Sequence, residues 1–256
     1  MEFSEKLDQL FTDTFSELME LSSFQQSTVI GYNLIEEKHE AHLKYLEEQI
    51  PLSDRGKKLT MLDRIRREVK IRQVHSIGEK KDVYVNTINK SIIIYACSVF
   101  DFFLNEIFRY LLIGNLQKLA SEKKAIQYHE LILNSKEAII ESLIEKEIHE
   151  VSYKRIDVRI KYLSDTFDLD LEFTNDETYF FSNKVNLNKI NWAYSIRNII
   201  VHNKGIINKI FLDSNPHTNY LSGEALLINE QLIDDIKTIL IKTSSSISKQ
   251  VEMRYY

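Results

Sequence analysis

With 256 residues, 43% of them hydrophobic, the chain carries enough apolar material for one large domain or a domain with an extension. A net charge of -5 argues against indiscriminate nucleic-acid binding over the whole surface, while leaving room for a local patch that binds RNA. Six glycines and two prolines favour long helices, and the single cysteine, Cys97, excludes an internal disulfide, as expected of a cytoplasmic protein.

Apolar positions at helical spacing, Leu7, Leu10, Phe11, Phe15, Leu18 and Leu21, predict a first helix from Phe3 to about Phe24. Met1 to Leu21 is charged throughout, so no signal peptide is expected. The pattern returns over Leu34 to Ile50 with Leu43, Tyr45 and Leu46, and Pro51-Leu52-Ser53-Asp54 supplies a breaker and a new cap. A third helix is expected from Leu59 to Ile77, closed by Gly78. Residues 1–80 thus read as a helical extension or a coiled hairpin. His39 and His42 lie beside Glu36 and Glu40, but the order His-Glu-Ala-His is not the zinc-protease arrangement, and no metal or other cofactor is expected.

Basic residues crowd between Arg55 and Lys81, opposed only by Asp63, Glu68 and Glu79. Such a run can track a phosphate backbone, which makes Arg64, Arg67 and Lys70 candidate RNA contacts. A solvated helix face is the commoner origin of a charge run, and the basic positions here fall around more than one side.

Val83 to about Leu119 is the most apolar stretch, expected to form one long helix with a bend near Gly114-Asn115. Its aromatic residues Tyr95, Phe100, Phe102, Phe103, Phe108 and Tyr110 are too closely spaced to face water and predict core. The apolar run Ile92 to Phe100 is broken by Asp101 and is too short to span a membrane, so no membrane partner is expected. Further helices are predicted over Ser135 to Ser152, over Lys154 to Phe167 with Ile156, Ile160, Leu163 and Phe167 on one side, and over Asn186 to Asn203. After Gly205, the turn cluster Asp213-Ser214-Asn215-Pro216 and the stretch Tyr220 to Ile228 read as a loop or a short β-hairpin. Asn229 then caps a final helix that fades near Ser244. Residues 83–253 are assigned to one helical domain, and the fold class is all-α.

Specific chemistry is concentrated in Ser195 to Gly205, SIRNIIVHNKG. Arg197, Asn198 and His202 place a fixed cation, an amide and an imidazole around the apolar Ile199, Ile200 and Val201. Leu187, Ile190, Tyr194, Ile200 and Val201 mark the apolar side of the helix, and Gly205 suits the left-handed residue that ends it. Five residues turn an ideal helix by roughly 140° net, so Arg197 and His202 converge only where the helix ends. The Asn203-Lys204-Gly205 stop permits that. Cys97 sits in a segment too apolar for a nucleophile.

Arg-Asn followed by three residues and His resembles the RxxxxH signature of the HEPN superfamily, helical proteins many of which are metal-independent RNA-cleaving toxins or defence nucleases. The run Ala96-Cys97-Ser98-Val99-Phe100-Asp101-Phe102-Phe103-Leu104-Asn105-Glu106-Ile107 looks like the long early helix of such domains, with Asp101 as the supporting acid where Glu would be expected. The match covers Val83 to the C-terminus. It implies a HEPN-like helical bundle preceded by the N-terminal extension, and a toxin or antiviral-defence effector with an antitoxin or another defence-system protein as partner.

The chemistry implied is attack of a ribose 2′-hydroxyl on the adjacent phosphate. An imidazole, with an ordinary pKa near 6.5, serves as acid or base. The always-charged guanidinium of Arg197 grips two phosphate oxygens, Asn198 hydrogen-bonds the phosphate or orients His202, and Lys204 adds positive potential. One signature His per chain, for a reaction served by both an acid and a base, points to a homodimer with a shared cleft, as in HEPN nucleases. The alternative is a non-catalytic helical module that binds RNA or a protein, with Arg197 salt-bridged to Asp101 and His202 capping the helix.

Overall fold

The computed structural model describes residues 3–48, 61–120, 134–174, 184–216 and 218–255; for 3–4, 39–40, 42–48, 61–80 and 120 the description is of the backbone alone. These residues form eight helices: α1 (Phe3–Glu48), α2 (Met61–Gly114), α3 (Leu116–Ala120), α4 (Lys136–Ser152), α5 (Ile156–Phe167), α6 (Leu187–Asn203), α7 (Lys209–Ser214) and α8 (Glu230–Tyr255). The all-α class expected from the composition is what the chain adopts. Among the described residues no strand occurs, only two isolated bridges, Phe173 with Val185 and Ile206 with Ala225.

The chain divides into two compact units, Leu21–Ile92 and the combination of Met1–Glu20 with Ile93–Tyr256. These units follow packing, and differ from the segments 1–80 and 83–253 drawn from sequence pattern.

In the smaller unit the stretches of α1 and α2 pair antiparallel. Gln25 donates to Asn89 at 3.0 Å, Tyr32 stacks on Tyr84 at 5.9 Å, and Lys81 pairs with Glu36 at 2.6 Å. The partners advance along one helix as they retreat along the other. Here two expected breaks are absent. α1 runs unbroken for 46 residues where two helices were expected, because Gln25 is buried against Asn89, and Thr28 returns its hydroxyl to the Phe24 carbonyl at 2.7 Å. Packing overrides the weak helix propensity of that stretch. α2 likewise passes through Gly78, since one interior Gly costs only about 1 kcal/mol relative to Ala. Pro51 to Asp54 and the basic residues Arg55, Lys57 and Lys58 lie outside the described residues, as do the side chains of His39, His42, Arg64, Arg67 and Lys70.

The larger unit is built around Phe100, Phe103, Leu104 and Phe108 of α2, all buried together with Ile160, Leu163 and Phe167 of α5 and Ile190 and Ile196 of α6. Each fully buried Phe or Leu removes enough apolar surface to contribute about 1.5–3 kcal/mol. The first turns of α1 add Leu7, Leu10 and Leu18. Two of the aromatic residues expected in the core are exposed instead, Tyr95 at 51% and Phe102 at 59%, and Tyr110 is half-buried. They fall on the outer face of a helix whose opposite face is already filled. The expected bend is a break: α2 ends at Gly114, Asn115 forms a turn with its amide on the Leu111 carbonyl at 2.9 Å, and α3 follows.

By length and composition the Lys81–Gly114 part of α2 is apolar enough to cross a bilayer, contrary to the expectation from the shorter run Ile92 to Phe100. Yet 56% of its apolar window is buried inside the protein, the pattern of a core helix.

The cap expected at Asn229 forms, and Ser135 and Asn186, where helices were expected to start, cap theirs in the same way, each side chain accepting from the backbone N–H three residues on. Where a loop or a short β-hairpin was expected after Gly205, the chain forms the single antiparallel bridge Ile206–Ala225, with α7 inserted between its arms. α8 does not fade at Ser244 but continues to Tyr255: Thr243 and Ser244 turn their hydroxyls onto the Ile239 and Leu240 carbonyls and bury against the bundle, while Ile247 and Val251 carry the apolar face onward.

Gly31 lies inside α1 with nothing within 4 Å of an added Cβ. Gly31→Ala should therefore stabilise the protein by about 0.5–1 kcal/mol. Urea unfolding followed by circular dichroism reads this as a raised midpoint at unchanged slope.

Candidate functional site

α6 carries the signature and packs against α5, α7 and α8. Its N-terminus is set by Asn186, whose Oδ1 accepts from the Lys189 N–H at 3.0 Å, and its buried face is Ile190, Ala193, Ile196, Ile199 and Ile200. Val201, expected on that face, is exposed, as it lies in the last turn where the helix leaves the core. The left-handed stop begins one residue earlier than predicted. Lys204 takes φ 56°, Gly205 follows at φ 83°, and the N–H groups of both reach the Ile199 carbonyl, the second at 2.9 Å. The Asn203 side-chain amide donates to the Ile206 carbonyl, and Leu226 donates to Gly205 at 2.8 Å, so the turn is held from both sides. His202 is thereby presented, exposed, at the helix end.

The alternative pairing of Arg197 with Asp101 does not form. Asp101 accepts from Arg159 of α5 and, at 2.8 Å, from the Tyr194 hydroxyl of α6. Arg159 is only 4% exposed and its other terminal nitrogen donates to Asn105 at 3.2 Å. Arg197 instead donates to the Asn198 side-chain oxygen at 3.0 Å, and its Nε is buried without a hydrogen-bond partner. Among the described residues no carboxylate pairs with Arg197. The sequence reading missed both Arg159 and the tie through Tyr194. A signal was available for the first: Arg159 falls between Ile156 and Ile160 on the apolar side of its helix, where an unpaired charge is untenable and a buried partner is required.

Burial dominates the titration of the groups beneath this cluster. It pushes the Tyr194 hydroxyl well above its ordinary range, reinforced by the negative charge of Asp101. It pushes the Cys97 thiol up to about 12, with Asp101 adding to the shift and Arg197 opposing it. A thiol so placed is not a nucleophile near neutral pH.

Above the cluster lies a cleft of about 1950 Å³. Asp101, Arg197, Asn198 and His202 all line it, so four of the predicted residues share one space, and Lys204 lies outside its lining. The lining also holds Lys154, Arg155, Arg159 and Lys189; with Arg197 these five cations outnumber the aspartates Asp101, Asp213 and Asp235 of the lining together with Asp157, which pairs with Arg155 from outside it, in a chain whose net charge is -5. The cleft is therefore locally cationic. Among the described residues no group of three or more His, Cys, Asp or Glu side chains is arranged to hold a metal ion.

Comparison of the chain with protein-family models, with curated proteins and with solved structures yields no match. The class that can be stated is an all-α protein with a cationic cleft along α6.

Removing one partner of the Asp101–Arg159 pair strands the other in the interior. Asp101 is about a third exposed at 32%, so Asp101→Asn should cost toward the low end of the range for broken buried pairs, about 3 kcal/mol. Adding Arg159→Met should cost much less than its effect alone. A double-mutant cycle from urea unfolding is expected to return a coupling of about 1 kcal/mol or more; additive losses would show that the pair is not coupled.

Proposed function

We propose that the protein is an endoribonuclease of HEPN type that cleaves RNA by 2′-hydroxyl attack, without requiring a metal ion. The observation that carries this reading is that Arg197, a guanidinium with no carboxylate partner among the described residues, lines a cationic cleft together with Asn198 and an exposed His202. The resemblance of the RNIIVH stretch to the RxxxxH signature supports it.

In this reaction an imidazole takes the proton from the 2′-hydroxyl, the oxygen attacks phosphorus, and the bond to the 5′-oxygen breaks. An acid returns a proton to that leaving oxygen. The products are a 2′,3′-cyclic phosphate and a 5′-hydroxyl end. Arg197 holds the phosphate oxygens as charge builds on them, with Asn198 fixing the guanidinium through its side-chain oxygen. Asp101, engaged by Arg159 and Tyr194, acts by positioning α6 and not by moving the proton. Each chain contributes one signature imidazole, so a homodimer supplies acid and base on opposite sides of the phosphate. The exposed apolar residues Phe102 and Val201, neighbours of Asp101 and His202 in sequence, suit such an interface.

Purified protein incubated with mixed cellular RNA in excess chelator is expected to cleave it. His202→Ala should lower the rate by about 10²- to 10⁴-fold, the usual worth of a positioned acid or base. Arg197→Lys should be nearly as damaging as Arg197→Ala, because the planar fork is lost. Activity that disappears on chelation while surviving His202→Ala would refute the mechanism.

A further inference from the structure

The cleft contains two aromatic side chains that the proposed reaction leaves unused. Trp192, the only tryptophan of the chain, lines it half-buried on α6, five residues before Arg197. Tyr153, at the C-terminal end of α4, lines it with 78% of its surface exposed. The Tyr153 ring meets His149 edge-on at 4.7 Å, and its hydroxyl lies 3.3 Å from His149 Nε2. The ring is thus steadied from one edge while most of it faces solvent. A ring so open, next in sequence to Lys154 and Arg155, is accessible to a ligand that enters the cleft.

Two further observations indicate what these rings would meet. At about 1950 Å³ the cleft is roughly twice the upper end of pockets built for small molecules, ~1,000 Å³, so it suits a segment of polymer. Lys154 and Arg155 follow Tyr153 directly, and Lys154 is held with its Nζ 4.6 Å over the Tyr162 ring. Aromatic faces interleaved with cations are the recurring way to hold unpaired nucleic acid, with bases stacked and phosphates neutralised.

We propose that Trp192 and Tyr153 form a nucleobase-stacking subsite of the cleft, which receives the unpaired bases flanking the phosphate held at Arg197. Asn188 and Asn191, which also line the cleft, offer amides to the edges of those bases. Bases within an A-form duplex are already stacked and cannot reach such faces, so the subsite selects single-stranded RNA. The identity of the polymer as RNA rests on the ribonuclease reading; the stacking subsite rests on the two rings.

The test uses His202→Ala protein, which leaves the RNA uncut, and an oligoribonucleotide of about ten bases offered alone or annealed to its complement. Because Trp192 is the sole tryptophan, its fluorescence reports stacking directly. Single strand should quench it, and labelled single strand should bind about tenfold or more tightly than duplex by anisotropy. In the same background Trp192→Ala should weaken single-strand binding about tenfold or more, within the range for loss of one base–aromatic stack, while Trp192→Phe retains most of it. Tyr153→Ala, at an exposed position where folding is not at stake, should also weaken it. Equal binding of duplex, absent quenching, or unchanged affinity in both alanine variants would overturn the subsite. These readouts need no catalysis, so a wild-type protein that binds and quenches without cutting would refute the ribonuclease reading and leave the subsite standing.

Discussion

The arrangement of the larger unit depends on one buried charge. Arg159 projects from the apolar side of α5 into the core, where a guanidinium is tolerated only if its charge is met. Asp101 of α2 meets it, and the Tyr194 hydroxyl of α6 shares the same carboxylate oxygen. Three helices are therefore held by one oxygen atom. Phe100, the residue before Asp101, packs edge-on against Tyr194 at 6.4 Å, so the apolar and polar contacts impose the same register. Tyr194 stands three residues before Arg197, less than one helical turn, and fixing the first orients the second. Because Arg159 occupies Asp101, that carboxylate is spent on architecture, and among the described residues no carboxylate pairs with Arg197.

Much of this was legible because it is local. Ser135, Asn186 and Asn229 announce helix starts through a short side chain that can reach a backbone N–H three residues on, a relation contained within four residues. Gly205 marks the end of α6 for a similar reason, although the left-handed turn begins at Lys204, a residue that carries the strain of a positive φ. What failed was non-local. Nothing within Gln25 to Asn33 predicts a helix strong enough to join its neighbours; the reason it forms is Asn89, 64 residues away. Gly78 looked like a stop but costs too little to interrupt a long helix. Thr243 and Ser244 looked like a fading end, yet returning each hydroxyl to a carbonyl four residues back lets a serine-rich stretch be buried as helix.

The candidate site divides the same way. Arg197, Asn198 and His202 stood out as a short pattern, whereas the cations and rings that shape the cleft, Lys154, Arg155, Lys189, Tyr153 and Trp192, come from two stretches about 40 residues apart with no shared motif. Tyr95 and Phe102 show the limit of arguing burial from aromatic density: the helix has two sides, and only one faces the core.

If a 2′-hydroxyl is the nucleophile, the linkage cut must own one. The most direct measurement is cleavage of an oligoribonucleotide whose preferred cut site has been mapped, compared with the same strand bearing a single 2′-deoxy sugar on the 5′ side of that linkage. The account predicts that cleavage is lost at the substituted linkage and persists at the others. Cleavage at the deoxy linkage with undiminished rate would contradict it.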